Sequence, residues 1–179
     1  MLRLAIIGSS GNQINDMLKL NKEHMKQTIN HVLDYIENTL KKNTFEIILV
    51  SGGSAWIDHI AIQLFLTDKF AGLQLYLPTK FDVIKEHYVN THEGRKLNEL
   101  HNIFSKKIEI DSLSELTKAI LKTKNIEIKR GFLQRNNLIA KNCDYLIAFT
   151  FEDKCPTKGD SAHTWEKISH QYKKHYTLI

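Results

Sequence analysis

The chain contains few of the residues that cross-link or punctuate proteins: among 179 residues there are 2 Pro, 2 Cys and 8 Gly. Cys143 and Cys155 form no CxxC pair and no disulfide framework, so we expect reduced thiols and a cytoplasmic protein. This composition excludes a collagen-like or Pro-rich chain. No apolar run approaches the roughly 18 to 20 residues of a membrane span, so we expect a soluble protein with no membrane partner.

The chain also has only a small excess of charge of one sign. Lys and Arg number 25 against 20 Asp and Glu, a formal net charge of +5. Nucleic-acid binders usually concentrate basic residues on one face. Here the densest basic runs are only pairs, which are typical of solvated helix ends: Lys41-Lys42, Lys106-Lys107 and Lys173-Lys174. The charge permits an anionic ligand, and nucleic acid stays open without being favoured.

Short apolar runs alternate with amphipathic segments along the chain. The run at residues 4–7 is typical of a parallel strand buried on both faces. Further strands are predicted at residues 45–50, 73–77, 126–128 and 144–150, with a closing strand at 175–179. Apolar spacings of three and four predict helices between them, the first at about residues 18–42. The pattern predicts an α/β fold: a Rossmann-like, doubly wound, mainly parallel sheet of about five to seven strands with helices on both faces.

The length fits a single domain over residues 1–179, within which residues 80–125 break the alternation. We interpret this stretch as a helical elaboration with two amphipathic helices. The segment Ser112-Leu113-Ser114-Glu115 predicts a capping box that begins the second helix. Residues 88–95 are predicted to be a polar loop near the ligand-binding edge.

Three glycine-containing loops follow predicted strands: Gly8-Ser9-Ser10-Gly11, Ser51-Gly52-Gly53-Ser54 and Lys158-Gly159-Asp160-Ser161. The carboxyl ends of parallel strands share one edge, where open α/β sheets bind ligands. Glycine lets the backbone approach a phosphate, and a following helix offers free N–H groups. We therefore predict a ligand site at this edge. Trp56 is expected either to stack on a base there or to fill the core.

Several chemistries lack their motifs. There is no GxGxxG or GxxxxGK[ST], which disfavours NAD dehydrogenases and P-loop NTPases, and we expect no cofactor. The 9 His have no metal-ligand spacing with cysteine or acidic residues, so we expect no metal site. No GxSxG elbow marks a serine nucleophile.

The order and spacing of these segments resemble the SLOG superfamily over nearly the whole chain. The resemblance rests on residues 7–11, 51–58 and 158–165 and on Arg135-Asn136 before the strand at 144–149. This superfamily includes the DNA-processing protein A, the cytokinin-activating LOG phosphoribohydrolases and small proteins of unclear role, which are the most similar. The resemblance implies a Rossmann-like fold, a nucleotide-type ligand and a homo-oligomer paired through helices.

In the LOG enzymes, an arginine before the fourth strand and a glutamate in the last loop carry N-glycosidic hydrolysis. Arg135 matches the arginine, but Thr164 stands at the glutamate position. This departure argues against phosphoribohydrolase activity. The catalytic residues are left unassigned, with these candidates: Arg135, Asp58, Asp160 and Glu166.

The residues expected to contact the ligand lie in or beside the three loops: Gly8, Ser9, Ser10, Gly52, Gly53, Ser54, Asp58, Arg135, Asn136, Lys158, Gly159, Asp160, Ser161 and Thr164. Arg135 is expected to bind a phosphate through its planar guanidinium, and Asp160 a ribose. Asp58 either stabilises a helix start or binds ligand.

These expectations describe a protein that binds a nucleotide-derived small molecule, for sensing or sequestering, at the carboxyl edge of the sheet. One alternative is a nucleotide N-glycosidic hydrolase or transferase of the LOG type. A second alternative is single-stranded DNA binding, although the sequence shows no basic track.

Overall fold

Six parallel strands form the main sheet of the computed structural model, which describes residues 1–179. In chain order the strands are β1 (Leu2–Gly8), β2 (Ile47–Ser51), β3 (Gly72–Leu77), β4 (Phe81–Asp82), β5 (His87–Tyr88), β6 (Ile126–Ile128), β7 (Tyr145–Thr150) and β8 (Lys173–Thr177). The sheet order is β6-β3-β2-β1-β7-β8, and β4 and β5 form a separate antiparallel hairpin.

Seven α-helices connect and cover these strands: α1 (Ile14–Lys19), α2 (Lys22–Asp34), α3 (His59–Phe65), α4 (His92–Ile108), α5 (Ser112–Thr123), α6 (Phe132–Asn142) and α7 (Gly159–Glu166). None combines the length and the hydrophobicity that crossing a bilayer requires. The predicted α/β, Rossmann-like arrangement is confirmed.

The winding direction of the sheet reverses at β1. The chain runs outward from β1 through β2 and β3 to β6, and then returns to β7 on the other side of β1. Alternate side chains of β1 face opposite layers, because a strand has a two-residue period. Leu4 and Ile6 belong to the larger core cluster, with α2 to α5, whereas Ala5 and Ile7 pack in the smaller cluster with Ile139 of α6. The gap between the carboxyl ends of β1 and β7 is therefore the switch point of the fold.

The helix predicted at about residues 18–42 is divided in the structure. The side chain of Asn21 accepts hydrogen bonds from the backbone N–H groups of Glu23 and His24, which caps and begins α2. α1 precedes this break, and a π-helical turn at Tyr35–Thr39 follows α2. The apolar spacing of three and four begins at Met25, after Asn21, so it does not extend into α1.

Strand β2 begins later than predicted. Phe45 lies in a 3₁₀ turn, Thr44–Glu46, and its side chain is 66% exposed. Asn43 and Glu46 close this turn with reciprocal hydrogen bonds, so the strand starts at Ile47.

The predicted capping box is wrong by one residue. Asp111 is the N-cap of α5 and accepts from the backbone N–H of Ser114 at 3.0 Å. Ser112 is instead fully buried, with its hydroxyl against Ser105 and His101. Because the Asp111 carboxylate caps the helix, the Ser112 side chain is not needed as a cap and lies in the interior.

The predicted polar loop at residues 88–95 is also wrong. Tyr88 is a fully buried residue of β5, and α4 begins at His92 after the Thr91 hydroxyl accepts from the Gly94 N–H at 3.0 Å.

The end of the chain follows the predicted order with shifted boundaries. α7 ends at Glu166, and a 3₁₀ turn, His170–Tyr172, separates it from the last strand. β8 starts at Lys173 rather than at residue 175.

The close contact between β1 and β7 yields a stability prediction. A Cβ at Gly8 would overlap the backbone oxygen of Phe149, so Gly8→Ala should lower the free energy of unfolding by about 1–3 kcal/mol or more. The matched control is Gly72→Ala in β3, where the nearest atoms belong to Ile48 at 3.8 Å. Urea denaturation should show a change within about 1 kcal/mol for this control. Equal losses in both variants would contradict the steric explanation.

Candidate functional site

A cavity of about 600 Å³ opens at the switch point, beside the carboxyl ends of β1 and β7. It is lined by the loop after β1, by α1, by the start of α7 and by parts of α6 and the β7 loop. The lining residues are Ile7, Gly8, Ser9, Ser10, Asn12, Gln13, Ile14, Asn15, Asp16, Lys19, Ser54, Asp58, Arg135, Asn136, Ile139, Thr150, Phe151, Glu152, Lys158, Gly159, Asp160, Ser161 and Thr164.

Most of the residues expected to contact a ligand line this cavity. Gly52 and Gly53 are buried outside its lining, and Glu166 is exposed and also outside it. The expectations omitted the α1 segment, residues 12–19. Its signal was a polar run, Asn12-Gln13-Ile14-Asn15-Asp16, directly after the first glycine loop.

Helix α1 is a loosely attached wall of the cavity, because none of its residues is buried. The Ser9 hydroxyl donates to Asp16 at 3.1 Å. The ammonium of Lys107 donates to the carbonyl oxygens of Met17 and Leu18 at 2.7 and 3.0 Å. Polar contacts therefore hold most of this wall in place.

The side chain of Arg135, on α6, connects the loop after β2 to the start of α7 and is only 2% exposed. It donates from Nη1 to the Gly52 oxygen at 2.6 Å and from Nε to Asn136 Oδ1 at 2.7 Å. Its Nη2 reaches Asp160 at 3.4 Å, and Asn136 Nδ2 donates to the other Asp160 oxygen at 2.9 Å. The guanidinium is thus directed toward protein groups, and it orients the Asp160 carboxylate.

The two adjacent glycines have separate structural reasons. A Cβ at Gly52 would overlap the guanidinium of Arg135. Gly53 has φ +73°, a left-handed conformation, and a Cβ there would overlap the hydroxyl of Tyr88. These glycines admit close neighbours from the protein itself, whereas the sequence suggested that they admit a phosphate.

Asp58 ends a 3₁₀ turn, Trp56–Asp58, just before α3. Its side chain makes no capping hydrogen bond, so it does not satisfy the backbone N–H groups at the start of α3. The residue is 8% exposed and lines the cavity. Burial raises the pKa of Asp58 to about 7; Arg135 and the Gly8 backbone lower this pKa, and Asp160 raises it. The carboxyl group therefore titrates near neutral pH.

The first turn of α7 also faces the cavity through Gly159, Asp160 and Ser161. No side chain caps this turn. The first N–H groups of a helix have no partner inside the helix, so they are available to an anion. The Ser161 hydroxyl donates to the Gly8 oxygen at 3.0 Å, which fixes this turn against the β1 loop.

Thr164, which the resemblance to the LOG enzymes is expected to place at their glutamate position, is 2% exposed. Its hydroxyl donates to the backbone oxygen of Asp160 at 3.0 Å, within α7. The only side chain at this place is therefore a neutral hydroxyl engaged with its own helix.

The charged groups of the cavity have mixed signs: Asp16, Asp58, Glu152 and Asp160 against Lys19, Arg135 and Lys158. No cluster of three His, Cys, Asp or Glu side chains could hold a metal ion. Trp56 is fully buried, with its ring 4.6 Å from that of Phe104, so base stacking by Trp56 is excluded.

No protein-family model matches the chain. The chain has the fold of the DNA processing protein A from Streptococcus pneumoniae, with a TM-score of 0.53 and 17% sequence identity. This match covers 99% of the chain and 50% of that protein, so the chain spans half of its length. The likeness shows that the two proteins share this architecture.

The chain is also similar in sequence to a viral protein along nearly its whole length. "Uncharacterized protein R261" of Acanthamoeba polyphaga mimivirus is 43% identical over 178 residues. The alignment covers 99% of this chain and 96% of R261. Identity at this level over nearly the full length of both proteins shows that the chain belongs to the same family as the mimivirus protein R261.

Proposed function

We propose that the protein binds a nucleotide-derived small molecule in the switch-point cavity and thereby senses or sequesters it. The observation that carries this proposal is a cavity of about 600 Å³ that presents both hydrogen-bond donors and carboxyl groups. The start of α7 supplies uncapped N–H groups, and Asp58 and Asp160 supply carboxyl groups. A ligand with both an anionic group and hydrogen-bond donors fits this combination.

The carboxyl groups suit the sugar or the amino groups of such a ligand. Asp160 is held by Arg135 and Asn136, yet its side chain remains 49% exposed. Carboxylate oxygens accept hydrogen bonds from hydroxyl and amino groups. In this proposal Arg135 holds the acceptors in place, which differs from the phosphate contact expected from the sequence.

The phosphate suits the first turn of α7. Backbone N–H groups and the positive end of the helix dipole favour an anion there. Lys158 precedes Gly159 at this turn, and Lys19 of α1 lines the same cavity. Single-stranded DNA binding gains no support, since it requires a basic groove and this cavity has mixed charge.

A first test compares a panel of nucleosides with their monophosphates. Thermal shift and calorimetry should find a nucleotide that stabilises the protein, because a ligand at 100 times its Kd adds about 2.7 kcal/mol. Arg135→Ala should weaken the nucleoside and its monophosphate by similar factors, since it disorganises the shared acceptor wall. Lys158→Ala should weaken only the monophosphate, by about 0.2–1 kcal/mol, as expected for an exposed ion pair.

Lys154→Ala is the matched control, because Lys154 is exposed in the same loop and outside the cavity. If Arg135→Ala weakened binding of the monophosphate but not of the nucleoside, the phosphate would be bound by Arg135 rather than by α7. If no nucleoside or nucleotide stabilised the protein, the proposed function would be wrong.

The raised pKa of Asp58 predicts a pH-dependent loss of stability. Between about pH 4 and 7 the unfolded chain releases this proton while the folded protein keeps it, so stability falls as pH rises. The side chain of Asp58→Asn stays neutral at every pH. The unfolding free energy of this variant, relative to that of the native protein, should therefore increase by up to about 4 kcal/mol between pH 4 and 8. Urea denaturation across this range measures the gain.

The control for this pH series is Asp153→Asn, which removes an exposed carboxyl group in the loop after β7. Its stability should keep a nearly constant offset from the native protein. Parallel curves for Asp58→Asn and the native protein would show that Asp58 ionises freely in the fold.

The pKa of Asp58 also supports a second candidate function, N-glycosidic hydrolysis. A carboxyl group that titrates near neutral pH is suited to general acid catalysis, and Asp160 supplies a second carboxylate at the same cavity. Thr164 at the LOG glutamate position still favours binding without turnover.

Chromatography of nucleoside monophosphates incubated with the protein separates the two functions. We expect no release of free base above background, because Thr164 replaces the glutamate. Release that disappears in Asp58→Asn or Asp160→Asn, with the fold intact by circular dichroism, would establish the hydrolase instead.

A further inference from the structure

Two buried donors meet at the carbonyl oxygen of Gly53. The Tyr88 hydroxyl donates to this oxygen at 2.7 Å, and His101 Nε2 donates at 2.9 Å. Both side chains are fully buried. They come from β5 and α4, whereas Gly53 follows β2, so the contacts connect residues 35 and 48 positions apart in the chain.

The donor role of His101 is fixed by its surroundings. A carbonyl oxygen only accepts, so Nε2 carries the proton and Nδ1 accepts from the Ser112 hydroxyl at 2.9 Å. Ser105 Oγ lies 2.7 Å from Ser112 Oγ and completes this chain of hydroxyl groups. Burial, with the nearby His59, lowers the pKa of His101 to about 3, so the ring is neutral under ordinary conditions.

The preceding peptide, which carries the Gly52 carbonyl, connects this contact to the cavity. The Gly52 oxygen accepts from Arg135, and Arg135 in turn contacts Asp160. Each peptide unit is planar, so a displacement of the Gly53 Cα moves the Gly52 and Gly53 carbonyl groups together.

We propose that Tyr88 and His101 are positioning residues for the cavity: by clamping the Gly53 carbonyl they set where Gly52 holds Arg135 and, through Arg135, where Asp160 stands. Residues 80–125, which carry β5, α4 and α5, then have a role at the site although they lie outside its lining. The proposal rests on the proposed function only in taking this cavity as the binding site.

The test measures how tightly the Arg135 side chain is held, and it needs no ligand. Solvent exchange of the Arg135 Nε–H is followed by NMR, with the Ile6 backbone amide at the centre of β1 as the reference for global opening. Tyr88→Phe keeps the ring and removes one donor; His101→Phe removes the other. Each should speed Arg135 exchange about tenfold relative to Ile6, which corresponds to about 1.4 kcal/mol.

Conservative and distant variants supply the controls. His101→Gln keeps an amide donor and should restore much of the slow exchange. Tyr35→Phe and His24→Gln alter a buried tyrosine and a buried histidine that do not contact Gly53, and should leave the ratio unchanged. If His101→Phe fails to fold, Tyr88→Phe against Tyr35→Phe decides the outcome.

The positioning role would be wrong if the exchange rate of the Arg135 Nε–H were unchanged in Tyr88→Phe, or if the Ile6 amide showed an equal increase. Tyr88 would then be a core residue without a role at the cavity. Since nucleotide binding is measured separately, either result leaves the proposed ligand untouched. Conversely, if the exchange rates changed as expected but no nucleotide bound, the positioning role would stand and the proposed ligand would be wrong.

Discussion

The buried guanidinium of Arg135 is the interaction on which the cavity depends. Removing a cation from water costs several kcal/mol unless acceptors surround it. Here the acceptors come from three places in the chain: Gly52 after β2, Asn136 on α6 and Asp160 on α7. Meeting these requirements together brings the ends of three elements to one point, so the electrostatic need of one side chain shapes the cavity wall.

Asp58 gives this arrangement a second electrostatic state. Its carboxyl group is buried near both Arg135 and Asp160, and the attraction of the arginine only partly offsets the cost of burial. The local charge of the wall therefore changes by one unit around neutral pH. A buried carboxyl group that is poorly compensated destabilises the fold, and such groups are often retained at binding or catalytic sites.

The sheet was predictable because parallel strands buried on both faces must be short apolar runs, as at Leu4–Ile7 and Tyr145–Thr150. The edge that holds the cavity followed from the same logic. Caps were harder: Asp111 and Asn21 begin helices through single side-chain contacts that periodicity does not register. The reason for Gly52-Gly53 was also hidden, because the neighbours that require it, Arg135 and Tyr88, are distant in sequence.

Helix α1 has a kinetic consequence. Because none of its residues is buried and mainly polar contacts attach it, displacing α1 exposes little apolar surface. Segments with few buried contacts open at lower free energy than the core. The cavity can therefore open by displacement of α1 while the sheet stays intact, and the rate of this opening depends on the Lys107 and Ser9 contacts rather than on unfolding.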